Sequence, residues 1–165
     1  MGTVISGFAG IGKTHYVGEN PKKAIDLESS NYKWVYHNAD DVNLGEARKG
    51  IVEKDLNPEW PKNYIEAIKG NLDKYDYVFI CQDFDVRNML KAEGVEYYVA
   101  FPNIRDKQCY LDRYKRRGNA ENFINLFDAK YEDFVADLML KEKNQIRLHR
   151  YEYLSDALKR FEKNK

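Results

Sequence analysis

The sequence predicts an α/β protein of three layers, a mainly parallel five-stranded sheet flanked by helices. Two observations predict it. Short apolar runs of β-forming residues recur along the chain, and helical patterns separate them. Strands that alternate with helices return through crossovers, which makes neighbours parallel and covers both faces of the sheet. The first strand is Thr3–Ser6, the second Lys23–Leu27, the clearest Tyr77–Cys81, the fourth Glu96–Phe101, and the weakest Gln145–Leu148. Helices are expected from Lys13 and over Pro61–Tyr75, Asp85–Glu93, Asp106–Arg117, Ala120–Lys141 and Ser155–Lys163. Tyr131, Phe134, Val135 and Leu138 follow i, i+3, i+4, i+7 spacing, which marks a core-facing stripe.

The chain has 165 residues, a length that suits one domain spanning 1–165. Charged residues make up 33%, and no apolar run approaches a membrane span. Thirteen tyrosines and 14% aromatics argue against disorder. Lys+Arg and Asp+Glu tie at 27 each, which removes the simplest electrostatic case for a nucleic-acid surface. Two cysteines, Cys81 and Cys109, are too few for a disulfide framework and lack zinc-site spacing. A reduced, cytoplasmic setting is the expectation.

Parallel sheets of this kind hold ligands beyond the carboxyl ends of their strands. That directs attention to Gly7–Thr14, Asp26–Ser30, Gln82–Arg87 and Pro102–Arg105. Gly7-Phe8-Ala9-Gly10-Ile11-Gly12-Lys13-Thr14 matches G-x-x-x-x-G-K-[ST] between a strand and a helix. Gly7, Gly10 and Gly12 let backbone N–H groups, Ile11's among them, turn toward phosphate oxygens. The helix start adds a positive dipole end. Lys13 can reach the β- and γ-phosphates of ATP, and the Thr14 hydroxyl can ligate Mg²⁺.

The phosphate loop, an Asp ending the second strand and a basic helix after the fourth together resemble small-molecule kinases of the adenylate kinase and shikimate kinase type. The chain looks closer still to small phage and bacterial adenylate kinase-like nucleotide kinases. Four blocks carry this likeness: Gly7–Thr14, Ile25–Ser30, Asn57–Ile65 and Tyr110–Asn119. The resemblance implies the three-layer P-loop NTPase fold. It implies an acceptor-binding insertion at about 31–60 and a lid-like basic segment at about 105–119. Its activity would be ATP- and Mg²⁺-dependent phosphoryl transfer to a nucleoside or deoxynucleoside monophosphate, in the host cytoplasm if phage-encoded. Such proteins tend to carry Ser-Ser-His after the third strand and before a Val-Arg pair. This chain reads Cys81-Gln82-Asp83-Phe84-Asp85-Val86-Arg87, which keeps only the pair.

Asp26 and Glu28 stand two apart at a strand end and share a face. By resemblance Asp26 holds Mg²⁺ or the acceptor, with Glu28 and Ser29 beside the acceptor. Alternatively Asp26 caps a turn, Glu28 is solvated, and Ser29 and Ser30 cap the next segment. Asp83 is the candidate second acid for Mg²⁺, or with Asp85 an N-cap. Arg87 has the planar fork that suits an acceptor phosphate, or is a solvated helix cation.

Arg105 to Arg117 holds six cations against two acids. Arg113 and Arg117 are i, i+4 neighbours, with Arg116 beside them. By resemblance these arginines neutralise the transferring phosphoryl group, Arg113 and Arg117 foremost. Such an arginine is worth about 10³–10⁵ in rate where tested. The alternative is a solvated basic face complementing a helix dipole. Between residues 40 and 59, six acids (Asp40, Asp41, Glu46, Glu53, Asp55, Glu59) face Arg48, Lys49 and Lys54, which reads as an acidic surface. Trp34, Tyr36 and Trp60 flank that stretch and could stack on an acceptor base or pack in the core. His15, His37 and His149 form no catalytic constellation. No N-K-x-D follows a strand, which disfavours a GTPase. A kinase of another small molecule, an ATPase, or a non-catalytic nucleotide-binding regulator are the other readings.

Overall fold

The computed structural model describes residues 1–37 and 53–164. A five-stranded sheet is built from β1 (Thr3–Gly7), β2 (Ala24–Asp26), β5 (Tyr77–Ile80), β6 (Tyr97–Phe101) and β7 (Gln145–Arg147). Its order is β2-β5-β1-β6-β7, and every pairing is parallel. The helices are α1 (Lys13–Glu19), α2 (Ser30–Lys33), α3 (Lys62–Asn71), α4 (Phe84–Ala92), α5 (Lys107–Arg116), α6 (Glu121–Lys141) and α7 (Leu154–Lys163). This is a three-layer α/β arrangement. No helix of the described residues is long and apolar enough to cross a membrane.

The residue pattern explains the layers. All four residues of β5 are buried, as a strand covered on both faces requires. On one face Tyr16 of α1 meets Tyr77 and Phe79 edge-on, and the Tyr77 hydroxyl donates to Glu162 of α7. On the other, Phe8 packs edge-to-face against Phe127 and Tyr131 of α6. Two buried hydroxyls illustrate how polar groups in the core find partners. The Tyr64 hydroxyl of α3 donates to Leu27 O at 2.6 Å, and Ser6 Oγ donates to Cys81 O at 2.9 Å, tying β1 to β5.

Two features depart from the sequence reading. Residues 31–60 contain elements of their own: α2, then an antiparallel pair of β3 (Trp34–Tyr36) and β4 (Lys54–Leu56). Each strand has three residues, too short for period-2 alternation to register. Trp60 stacks on Tyr64 at 5.4 Å, which favours packing over ligand stacking for that ring. Trp34 carries the Lys54 and Lys33 ammonium groups over its ring. Glu53, Asp55 and Glu59 are exposed, as an acidic surface requires; Asp40, Asp41, Glu46, Arg48 and Lys49 lie outside the described residues. The second departure is in α6. Tyr131, Val135 and Leu138 are buried, but Phe134 remains 37% exposed, because its side of the helix lines a cavity.

Candidate functional site

Gly7–Thr14 connects the buried end of β1 to α1 and wraps the carboxyl edge of the sheet. Gly10 and Gly12 have φ of +83° and +97°, where a Cβ is strained. A Cβ on Gly10 would also come 2.8 Å from Tyr114 Cε1. Ile11 is fully buried and anchors the loop; its carbonyl accepts from Leu154 N. Two side chains of α5 hold the loop from outside. The Tyr114 hydroxyl donates to Ala9 O at 2.8 Å, and Arg113 Nη1 donates to Gly10 O at 3.1 Å.

Lys13 Nζ donates to Gly7 O at 2.8 Å. Burial draws the Lys13 ammonium below its ordinary pKa, against the opposing field of Asp26. Thr14 Oγ1 donates to Asp26 Oδ2 at 3.1 Å, so the motif's hydroxyl and the last residue of β2 converge. Burial raises the Asp26 pKa, while Lys13 and the Thr14 hydrogen bond pull it down. Thr14 and Asp26 form a pair of hard oxygen donors suited to Mg²⁺, which keeps several waters and completes its shell with substrate phosphates. Among the described residues no cluster of three or more acids, cysteines or histidines forms a denser metal site.

A cavity of about 420 Å³ opens over this loop. Lys13, Thr14, Arg116, Arg117 and Tyr153 are among its lining residues. The three arginines expected to act together divide in the structure. Arg113 lines the cavity but is buried, and it donates to Gly10 O and Glu152 O between the rings of Tyr110 and Tyr153. It is thus not a solvated cation, and its hydrogen bond to Gly10 O holds the loop at Gly7–Thr14. Arg116 and Arg117 are exposed at the C-terminal end of α5. Arg117 Nε donates to Asn119 Oδ1 at 2.6 Å, and its guanidinium lies over Tyr114.

Asp83 is the N-cap of α4. Its Oδ1 accepts from Asp85 N and Val86 N, and its Oδ2 pairs with Lys33 at 2.9 Å. The capping alternative thus describes its contacts, and a metal at Asp83 would compete with all three. Glu28 is exposed and its Oε1 accepts from Ser30 N. Ser29 is the N-cap position of α2, without a side-chain cap bond. Arg87 is not a solvated cation. It is 6% exposed and pairs with Glu142 at 2.5 Å, while its buried Nε has no partner among the described residues.

Sequence reasoning missed Tyr114, Tyr153 and Gln82. Tyr114 and Tyr153 reach the loop from distant positions, and nothing in their local pattern says so. Gln82 lies in the stretch where the Ser-Ser-His pattern is lost, and its Nε2 donates to Ser6 O and Ala100 O, bridging β1 and β6. No protein-family model matches the chain, and no curated protein matches it.

Proposed function

We propose that this protein is a P-loop phosphotransferase that moves the γ-phosphoryl group of ATP, with Mg²⁺, to a nucleoside or deoxynucleoside monophosphate. The convergence of Lys13, Thr14 and Asp26 on a loop with two left-handed glycines carries this reading. Arg116 and Arg117 face that loop across the same cavity. In the proposal Lys13 exchanges its bond to Gly7 O for phosphate oxygens. Arg117 and Arg116 neutralise charge on the transferring group, and Arg113 fixes the loop that receives it. Thr14 and Asp26 would hold Mg²⁺, whose charge offsets that of the β- and γ-phosphates when bound. Arg87, whose Nη1 is held by Glu142, offers its Nε, unpartnered among the described residues, to the acceptor phosphate.

An acceptor phosphate oxygen forms the new bond to the γ-phosphorus. The bond from that phosphorus to the β,γ-bridging oxygen breaks, and ADP leaves. An ionised phosphate acceptor needs no base, so Asp26 orients metal rather than removing a proton.

Steady-state ADP release measured against nucleoside and deoxynucleoside monophosphates tests the proposal. Release is expected only with both Mg²⁺ and an acceptor. Release without any acceptor would make the protein an ATPase. Tight ATP binding with no release under any condition would make it a regulator.

A further inference from the structure

A second cavity, of about 710 Å³, lies between α4 and α6. Lys13 lines both this cavity and the one over the phosphate loop. The group proposed to hold the γ-phosphate therefore stands at the junction of two spaces, and the second is built very differently from the first.

Its walls are apolar and aromatic. Phe84 of α4 and Phe134 of α6 line it while 57% and 37% exposed, and Leu126 lines it at 50%. Phe127 backs this wall and touches both Phe134 and Phe8 through ring contacts at 5.6 Å. Exposed rings gathered around one concavity favour a flat apolar guest. The volume falls in the range of small-molecule sites.

Its polar groups are few and directional. Both carbonyls that Gln82 Nε2 meets, Ser6 O and Ala100 O, can only accept hydrogen bonds, which fixes the amide orientation. Gln82 Oε1 is left without a donor among the described residues, and Gln82 lines the cavity. Arg87 lines it too, with its buried Nε unpartnered. The remaining charged side chains of the wall largely cancel: Lys130 pairs with Asp133 and Asp137 with Lys141.

We propose that this cavity seats the planar ring of the acceptor, a nucleobase bearing an N–H donor. Phe84 and Phe134 flank the ring, and Gln82 Oε1 accepts its N–H. The inference rests on the phosphotransferase reading and places the acceptor base between α4 and α6, rather than on the insertion at 31–60. It also gives a role to Gln82, where the sequence leaves the pattern of the proteins it resembles.

The test compares wild type, Phe84→Asp, Phe134→Ala and Gln82→Met. It reads ATP affinity by calorimetry and acceptor KM by ADP release, with nucleosides, nucleoside monophosphates and base-free ribose 5-phosphate as acceptors. Phe84→Asp and Gln82→Met are expected to raise acceptor KM at least tenfold with ATP affinity unchanged, and Phe134→Ala to raise it severalfold. Ribose 5-phosphate is expected to be a poor acceptor. Nucleosides and their monophosphates share the base, and their relative turnover shows whether the acceptor brings its own phosphate. Unchanged acceptor KM in Phe84→Asp and Gln82→Met, or ribose 5-phosphate turned over as well as nucleotides, would overturn the site while leaving the kinase intact. If ATP binds but no acceptor turns over, calorimetric titration of nucleosides decides. Binding weakened by Phe84→Asp supports the base site, and no binding overturns it. Self-association abolished by Phe84→Asp would instead make this face an interface between copies.

Discussion

Lys13→Ala should lower ATP affinity by roughly 10- to 150-fold and leave adenosine affinity unchanged. In the proposed function the lysine supplies charge-assisted hydrogen bonds to phosphate, each worth about 1.5–3 kcal/mol, and makes no contribution a bare nucleoside would feel. The same substitution should not weaken the fold. Lys13 has its pKa lowered by burial. A lysine with a lowered folded pKa contributes stability only above its unfolded value, and loses it as pH falls through the folded value. Burial therefore makes the charged form costly, and Asp26 and the bond to Gly7 O offset part of that cost. Calorimetric titration with ATP and with adenosine, beside a thermal melt at pH 7, reads both halves. The melting temperature of Lys13→Ala should equal or exceed that of wild type. An equal loss of ATP and adenosine binding would point to a collapsed loop.

Arg87→Ala should destabilise the folded protein by about 3–5 kcal/mol, because it leaves a buried carboxylate without its closest cation. Glu142 is 8% exposed and accepts from Arg87 at 2.5 Å and from the Tyr97 hydroxyl at 2.8 Å, and Lys91 lies 3.2 Å away. Lys91 and Tyr97 stay in the variant, so the loss belongs at the lower end of that range. The double variant Arg87→Met, Glu142→Leu should recover most of it, since a buried pair replaced by apolar groups of similar size is often near neutral. Urea denaturation of the two singles and the double closes the cycle. A single-variant loss below about 1 kcal/mol would mean that the pair is effectively solvated.

The sheet was legible because its strands are buried runs that end at turn chemistry. Tyr77–Ile80 and Tyr97–Phe101 need no partner to be read, since apolar β-forming residues bounded by polar ones have one comfortable state. The strand–loop–helix turn at Gly7–Thr14 was legible because its glycines act on the backbone next to them. Roles that depend on long-range partners were not legible. Arg113, Arg116 and Arg117 look alike in one helix turn. Only the packing of α5 against the loop separates the buried Arg113, bound to two carbonyls, from its exposed neighbours. Arg87 could not be read as half of a buried pair, because Glu142 lies 55 positions away. Asp83 illustrates the reverse: capping chemistry is local, so an Asp just before a helical pattern can be read as an N-cap without knowing its distant partners.

The central claim is that Gly7–Thr14 binds the phosphates of a nucleotide with Lys13 and Mg²⁺. Wild-type protein titrated with adenosine, AMP, ADP and ATP, each with and without Mg²⁺, tests it most directly. Affinity should climb with each added phosphate, with the largest Mg²⁺-dependent step at ATP. Equal affinity across the series, or no binding of ATP, would contradict the claim.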